Sequence, residues 1–307
     1  QIFEKDSVFT DTLTRLKYSA GKSYPDIISI KKGILDHITD AVIFPTHEDQ
    51  IAELLLFAQT EQINIIPFGG GTSVVGGVSP HPKIRNITLS LSKLNQVLKI
   101  DDESHSAHVQ VGIFGPQLEQ TLNEKSYTFG HFPQSFEYST LGGWIAARSA
   151  GQNSTGYGRI EDLVLGVTII TPKGKIVVKP HPASATGPKI KELILGSEGC
   201  IGIITSAIIK IRRLPKKQLL GSIIFPDLAS GIQAIKDIVR SQHPIILRLS
   251  DANETHAFFE MEKPEMGMKE FRSILKYHTG KFFLDRLGYN FPQCTFLLFG
   301  IDGDSES

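Results

Sequence analysis

The sequence predicts an α+β protein of two domains, and three observations carry that prediction. A strand–helix–strand unit runs into Gly69-Gly70-Gly71, and a long stretch beyond it is dominated by short β-type runs. The basic, proline-containing segment Arg212-Arg213-Leu214-Pro215-Lys216-Lys217 then separates these from a second β-α-β…β series. The 307 residues suffice for two cores, and 40% apolar with 21% charged residues is ordinary globular composition. Lysine plus arginine balances aspartate plus glutamate at 32 each, so no nucleic-acid or anionic-membrane surface is indicated.

The elements follow in order. Residues 1–40 read as an irregular arm with a helical start. Tyr24-Pro25-Asp26 breaks the pattern, and Ile27-Ile28-Ser29-Ile30 has the composition of a short strand. Ala41-Val42-Ile43-Phe44-Pro45 is a strand. Thr46 is the expected cap of a helix that sets Ile51, Leu54, Leu55 and Ala58 on one face, with Glu48 and Asp49 in its first turn. Ile63 to Pro67 is the second strand. Strands are predicted at 87–91, 98–100 and 107–111, followed by a helix from Pro116 to Lys125. Apolar runs at 163–170 and 176–178 flank Thr171-Pro172-Lys173-Gly174, a hairpin signature, and 203–211 is a long β run. Beyond the boundary come strands at 221–225, 245–250 and 295–300, with an amphipathic helix from Leu228 to Val239.

Three glycine-rich patches carry the chemistry. In Pro67-Phe68-Gly69-Gly70-Gly71-Thr72-Ser73-Val74, glycine permits positive φ and close backbone approach. Successive amides there suit a pyrophosphate, and Thr72 and Ser73 add hydroxyl donors. Gly70 is expected to need positive φ and to lie against the phosphates. The second patch, His131 to Trp144, contains Gly142-Gly143 and leads to a helix N-terminus expected at Ile145. The third, Gly196-Ser197-Glu198-Gly199-Cys200-Ile201-Gly202-Ile203-Ile204, feeds a strand whose backbone suits a planar heterocycle.

Together these patches resemble the flavoprotein superfamily of the vanillyl-alcohol oxidase type, and within it the alkyldihydroxyacetonephosphate synthases. Further residues carry the finer resemblance: Gly130-His131 with Pro133 and Ser135, Ser139 to Trp144, Ile160 to Val164, Gly196 to Gly199, Ile209 to Arg212, and Leu247-Arg248-Leu249. The resemblance implies a PCMH-type FAD-binding fold of two subdomains, about 38–92 and 93–214, after an N-terminal arm at 1–37. A partial substrate or cap domain would occupy 215–307, with some of the family's catalytic residues beyond this chain.

It also implies residue roles. Pro67, Gly69, Gly70, Gly71, Thr72, Ser73 and Val74 would wrap the FAD pyrophosphate. Pro133, Gln134, Ser135, Ser139, Thr140, Gly142 and Gly143, with Ala147, Arg148, Ser149 and Ala150, would line the flavin's other side. Glu198, Gly199, Gly202 and Ile204 would run beside the adenosine and ribityl portions. The first loop holds no histidine, so FAD is expected to be non-covalent. The implied reaction exchanges the acyl group of acyl-dihydroxyacetonephosphate for a fatty alcohol through a flavin N5 adduct, with Arg248 positioning substrate. Two rivals share the fold: an FAD-linked D-lactate- or glycolate-type dehydrogenase or oxidase, and a flavin-binding remnant. The implied partners are lipid substrates, a peripheral membrane contact and a homodimer.

Other signals count for less. No apolar run nears the roughly 20 residues of a membrane span, and the polar start lacks a signal-peptide core. The first residue is not methionine, so native sequence is expected before it. Cys200 and Cys294 form no CxxC pair, which suits buried thiols in a reducing, cytoplasmic setting. Gly21-Lys22-Ser23 imitates a P-loop end but lacks the upstream glycine. His105 and His108 are expected to be solvated, with no metal-ligand spacing anywhere. His131 is expected to brace a loop, Trp144 to pack in the core, and Lys216-Lys217 to be a solvated linker end. Phe258, Phe259, Phe271, Phe282 and Phe283 suit core packing better than a lipid tunnel.

Overall fold

The computed structural model describes residues 3–35, 37–181, 185, 187–261, 286–287 and 289–303. The chain divides into two units, one of residues 1–152 and 157–214, the other of 153–156 and 215–307.

The first unit opens with β1 (Val8–Phe9), α1 (Thr12–Lys17) and α2 (Tyr24–Lys32). The segment at 27–30 is therefore helix, not strand. Ser23 and Asp26 form a capping box, and Pro25 sits in the first turn, where its missing N–H costs nothing. That local start signal outweighs the β preference of three isoleucines. Then come β2 (Ala41–Ile43), α3 (Glu48–Glu61), β3 (Asn64–Phe68) and β4 (Asn86–Ser90). The sheet order is β1-β2-β4-β3, with β1 antiparallel to β2 and β4 parallel to both β2 and β3. The N-cap of α3 is His47, with no side-chain bond. Thr46 instead bonds Gln50 through its N–H at 2.8 Å. Ile51, Leu54, Leu55 and Ala58 are the buried face of α3, each large aliphatic contributing about 2 kcal/mol.

A five-stranded antiparallel sheet follows in the same unit. Its strands are β5 (Val97–Asp101), β6 (Ser106–Gln110), β8 (Val164–Thr171), β9 (Gly174–Val178) and β10 (Ile203–Lys210), ordered β5-β6-β10-β8-β9. Short β7 (Tyr127–Thr128) pairs with β11 (Arg212–Arg213). The helices here are α4 (Gly115–Asn123), α5 (Leu141–Ala146), α7 (Ile160–Leu163) and α8 (Ile190–Ile194), while α6 (Ser154–Tyr157) belongs to the other unit except for Tyr157. One continuous core joins α3, both sheets, Phe129, Trp144 and Ile145.

Glu48 ties α3 to the second sheet. Its carboxylate pairs with Lys175 at 2.5 Å and accepts from Thr205 Oγ1 at 2.5 Å. Burial opposes its charge, but these two donors prevail and hold the carboxyl below its usual value. His108, expected in solvent, is half-buried beside this cluster and 3.1 Å from Ser206 Oγ.

The second unit is antiparallel. Strands β12 (Lys217–Phe225), β13 (Ile246–Ser250) and β14 (Thr295–Gly303) pair in the order β12-β14-β13. They are accompanied by α9 (Leu228–Ser241) and α10 (Ala252–Met261). Asp227 caps α9 by accepting from Ser230 N–H at 2.7 Å. Phe258 is half exposed and stacks on Phe296. Phe271, Phe282, Phe283 and the Phe259 side chain lie outside the described residues. Cys294 is buried, whereas Cys200 is exposed, against the expectation of two buried thiols.

Candidate functional site

The three glycine patches meet within the first unit, and the glycines themselves make the joint. Strand β3 delivers Gly69-Gly70-Gly71 at its C-terminal end, the usual ligand side of a parallel sheet. A Cβ on Gly70 would lie 1.7 Å from the Tyr138 carbonyl oxygen and 2.9 Å from Ser139 Cα. One on Gly69 would meet Thr140 Oγ1 at 2.3 Å. Gly70 is thus required by backbone approach to the second patch. It does not have positive φ, and the space a Cβ would fill is taken by the Tyr138 carbonyl. The left-handed residue of this run is Gly71, at φ +64°. Among the described residues, the backbone N–H groups of Gly70, Gly71, Thr72 and Ser73 have no hydrogen-bond acceptor. Ser73 Oγ accepts from Gly77 N–H at 3.1 Å and keeps its own proton to donate.

In the second patch, Thr140 Oγ1 accepts from Gly143 N–H and starts α5 at Leu141, four residues before the predicted position. Gly142 N–H donates to Val111 O at 2.8 Å, and Leu141 N–H to Ile113 O at 3.1 Å. These bonds pin the patch to the chain leaving β6. Trp144 is buried, and its Nε1–H donates to Ser139 Oγ at 2.6 Å. In the third patch, Gly196 and Gly199 are left-handed at φ +81° and +88°. Glu198 N–H donates to Ala146 O at 3.1 Å, and a Cβ on Gly199 would meet Pro67 at 2.5 Å.

The patches enclose a cleft of about 380 Å3. Of the predicted cofactor residues, Pro67, Gly69, Gly70, Gly71, Thr72, Ser73 and Val74 line it from the first loop. Ser135, Ser139, Thr140, Gly142, Gly143, Ala147 and Ser149 line it from the second patch, and Glu198, Gly199, Gly202 and Ile204 from the third. Pro133, Gln134, Arg148 and Ala150 do not line it. Pro133 is buried, and Gln134 and Ala150 are exposed. Arg148, at φ +52°, bonds Glu192 at 2.6 Å and lies 3.5 Å from Glu161. Its cation is thereby committed to two carboxylates. Lining residues not predicted include Phe68, Val75, Gly77, Val78, Leu91 and Ala146. Trp144, expected in the core, reaches the cleft as well as packing behind it.

Gly21-Lys22-Ser23 packs beside the first loop. A Cβ on Gly21 would lie 2.3 Å from Ser73 O, to which Lys22 N–H donates at 2.8 Å. Arg248 belongs to the second unit, on β13. Its side chain is 61% exposed and pairs with Glu254.

His131 braces the second patch. Its Nε2 is 2.8 Å from Ser149 Oγ, and the ring packs against Phe129 and Trp144. Burial pushes its pKa from 6.5 down to about 4, with the Glu161 carboxylate opposing. An unfolded histidine gains a proton near 6.5 and the native one only near 4, so native stability falls as pH falls through that window. The full effect is about 3 kcal/mol. Denaturant unfolding at pH 7 and pH 5 should therefore show a wild-type loss that His131→Gln lacks. Equal pH slopes in the two proteins would exclude His131 as its source.

Residues 39–178 match the family described as FAD binding domain. The chain is 34% identical to alkyldihydroxyacetonephosphate synthase of Trypanosoma brucei brucei over 99% of its own length and 49% of that protein. It is 34% identical to the Dictyostelium discoideum protein of the same name, over 89% of this chain and 45% of that one. An uncharacterized FAD-linked oxidoreductase of Escherichia coli is also 34% identical, covering 83% and 53%. A solved alkyldihydroxyacetonephosphate synthase structure superposes with a TM-score of 0.84 at 31% identity, over 98% of this chain and 54% of that one. The chain spans about half the length of the curated relatives it matches.

Proposed function

We propose that the cleft of this chain, whose residues 39–178 match the family described as FAD binding domain, holds FAD non-covalently for alkyldihydroxyacetonephosphate synthase chemistry. In that reaction a fatty alcohol replaces the acyl group of acyl-dihydroxyacetonephosphate, and a fatty carboxylate leaves with no net oxidation. The observation that carries the reaction is the extent of the likeness. Similarity to the T. brucei synthase extends over 99% of the chain, against 83% for the E. coli FAD-linked oxidoreductase and 69% for a yeast D-lactate dehydrogenase.

The residues present fit the cofactor. Four unpartnered N–H groups at 70–73 and the hydroxyls of Thr72 and Ser73 supply donors for a pyrophosphate without a fixed cation. Pro67, Trp144, Ala146 and Ile204 give apolar walls for a planar ring system. No histidine, cysteine or tyrosine is among the described lining residues, which supports non-covalent retention. FAD, when bound, supplies the electron-rich centre that such group transfer requires.

The test has two parts. Acid precipitation should release all flavin to the supernatant; flavin pelleting with protein would disprove non-covalent binding. Incubation with acyl-dihydroxyacetonephosphate and hexadecanol should give the ether product by mass spectrometry. Anaerobic bleaching of the flavin by D-lactate or glycolate, with no ether formed, would favour the oxidoreductase instead.

In this reading Arg248 orients the anionic end of the substrate. Its exposed pair with Glu254 is worth under about 1 kcal/mol. Arg248→Ala should accordingly keep wild-type stability and FAD content while turnover falls by at least about a hundredfold. Undiminished turnover would remove Arg248 from the site.

A further inference from the structure

We infer that His131 is a positioning residue for the bound cofactor: it donates from Nε2 to Ser149 Oγ, so that the Ser149 hydroxyl proton is free to donate into the cleft. This rests on the FAD reading of the cleft and assigns a polarity to one point of its wall.

The geometry leaves few arrangements. His131 is 2% exposed, and its Nε2 has Ser149 Oγ at 2.8 Å. Its Nδ1 is buried with no partner among the described residues, and the ring packs against Phe129 and Trp144. A neutral imidazole carries one N–H. With the proton on Nδ1, a buried N–H would be orphaned, the rarest and most costly defect of this kind. With the proton on Nε2, that N–H is satisfied by Ser149, and only a lone pair on Nδ1 goes unpaired. The second tautomer therefore prevails.

Ser149 Oγ then accepts from behind and must send its own proton elsewhere. Ser149 lines the cleft, so that proton is available to a carbonyl or ring nitrogen of the ligand. A hydroxyl is otherwise a free rotor, donor or acceptor by turns, and His131 removes that choice.

Two carboxylates bear on the ring or its loop. Glu161, engaged with Arg148 and Arg159, is the one that acts on it electrostatically, and Glu119 binds the N–H of the neighbouring Gly130. Burial nonetheless keeps the ring neutral at pH 7. The donor polarity should hold from pH 6 to 8.

A double-mutant cycle on FAD affinity decides the matter, read by flavin fluorescence on stripped protein. His131→Phe keeps a ring in place and should weaken FAD about fivefold, the size of one hydrogen bond. In the Ser149→Ala background the same change should have no effect. Equal losses in both backgrounds would make His131 only a packing residue and overturn the proposal. His131→Gln, whose amide can reach Ser149, should recover wild-type affinity, while the shorter His131→Asn should not. That pair repeats the comparison if the phenylalanine variant does not fold. A wild-type protein that fails to bind FAD would instead defeat the underlying cofactor reading, a separately visible result.

Discussion

Alanine at position 70 is expected to separate two walls of the cleft and to reduce FAD affinity by at least roughly a hundredfold. The new Cβ would lie 1.7 Å from the Tyr138 carbonyl oxygen and 2.9 Å from Ser139 Cα. Both obstacles are backbone, so no side chain can swing aside. Overpacking of this kind costs about 3 kcal/mol, or roughly 10 °C in Tm for a unit of this size. Gly143 supplies the control. It sits inside α5, and its Cβ would meet only Thr140 Oγ1, at an ordinary 3.5 Å. Gly143→Ala should keep or raise stability by up to about 1 kcal/mol, as alanine does in a helix. Thermal melts of both variants check this. Equal Tm values for Gly70→Ala and wild type would mean that the loops do not interlock as described.

The second large effect is expected at Glu119, on α4. This residue is 8% exposed, and its Oε1 accepts from Phe129 N–H at 3.1 Å and Gly130 N–H at 2.8 Å. Its Oε2 accepts from Thr128 Oγ1 at 2.7 Å. Burial raises the carboxyl's pKa and these three donors only partly offset it. Glu119→Ala strands two buried backbone N–H groups and should cost about 3 kcal/mol in urea unfolding. Glu119→Gln keeps an oxygen for both N–H groups, and its amide can donate to the Thr128 hydroxyl, so its cost should stay under about 1 kcal/mol. If both variants lose stability alike, the negative charge matters and not the acceptor geometry.

Much of the site was readable because its recognition groups are local in sequence. A glycine run after a strand, followed by hydroxyls, is a short-range signal, and each patch presents one. What could not be read is where a side chain goes once the backbone turns. Arg148 stands between Ala147 and Ser149, both on the cleft, yet its left-handed φ and two carboxylates take it elsewhere. Phe68, Val78 and Leu91 reach the cleft only through the pairing of β3 and β4 and the chain around them, which no local pattern encodes. The segment at 27–30 shows the reverse error: isoleucine composition suggested a strand, while the Ser23–Asp26 cap dictated a helix. At Gly70 the missing side chain answers to crowding by a distant backbone, which looks the same in sequence as a need for positive φ.

The closeness of Pro67 to Gly199 bears on the order of events at the ribosome. The first loop emerges before its neighbours, which are some 70 and 130 residues further along the message. At ordinary elongation rates that is a wait of about ten seconds, during which a glycine-rich segment and one face of a parallel sheet have nothing to rest against. Cofactor capture is then a late event in biogenesis, timed by translation of the third patch, and nascent chains stalled before residue 199 should not retain flavin.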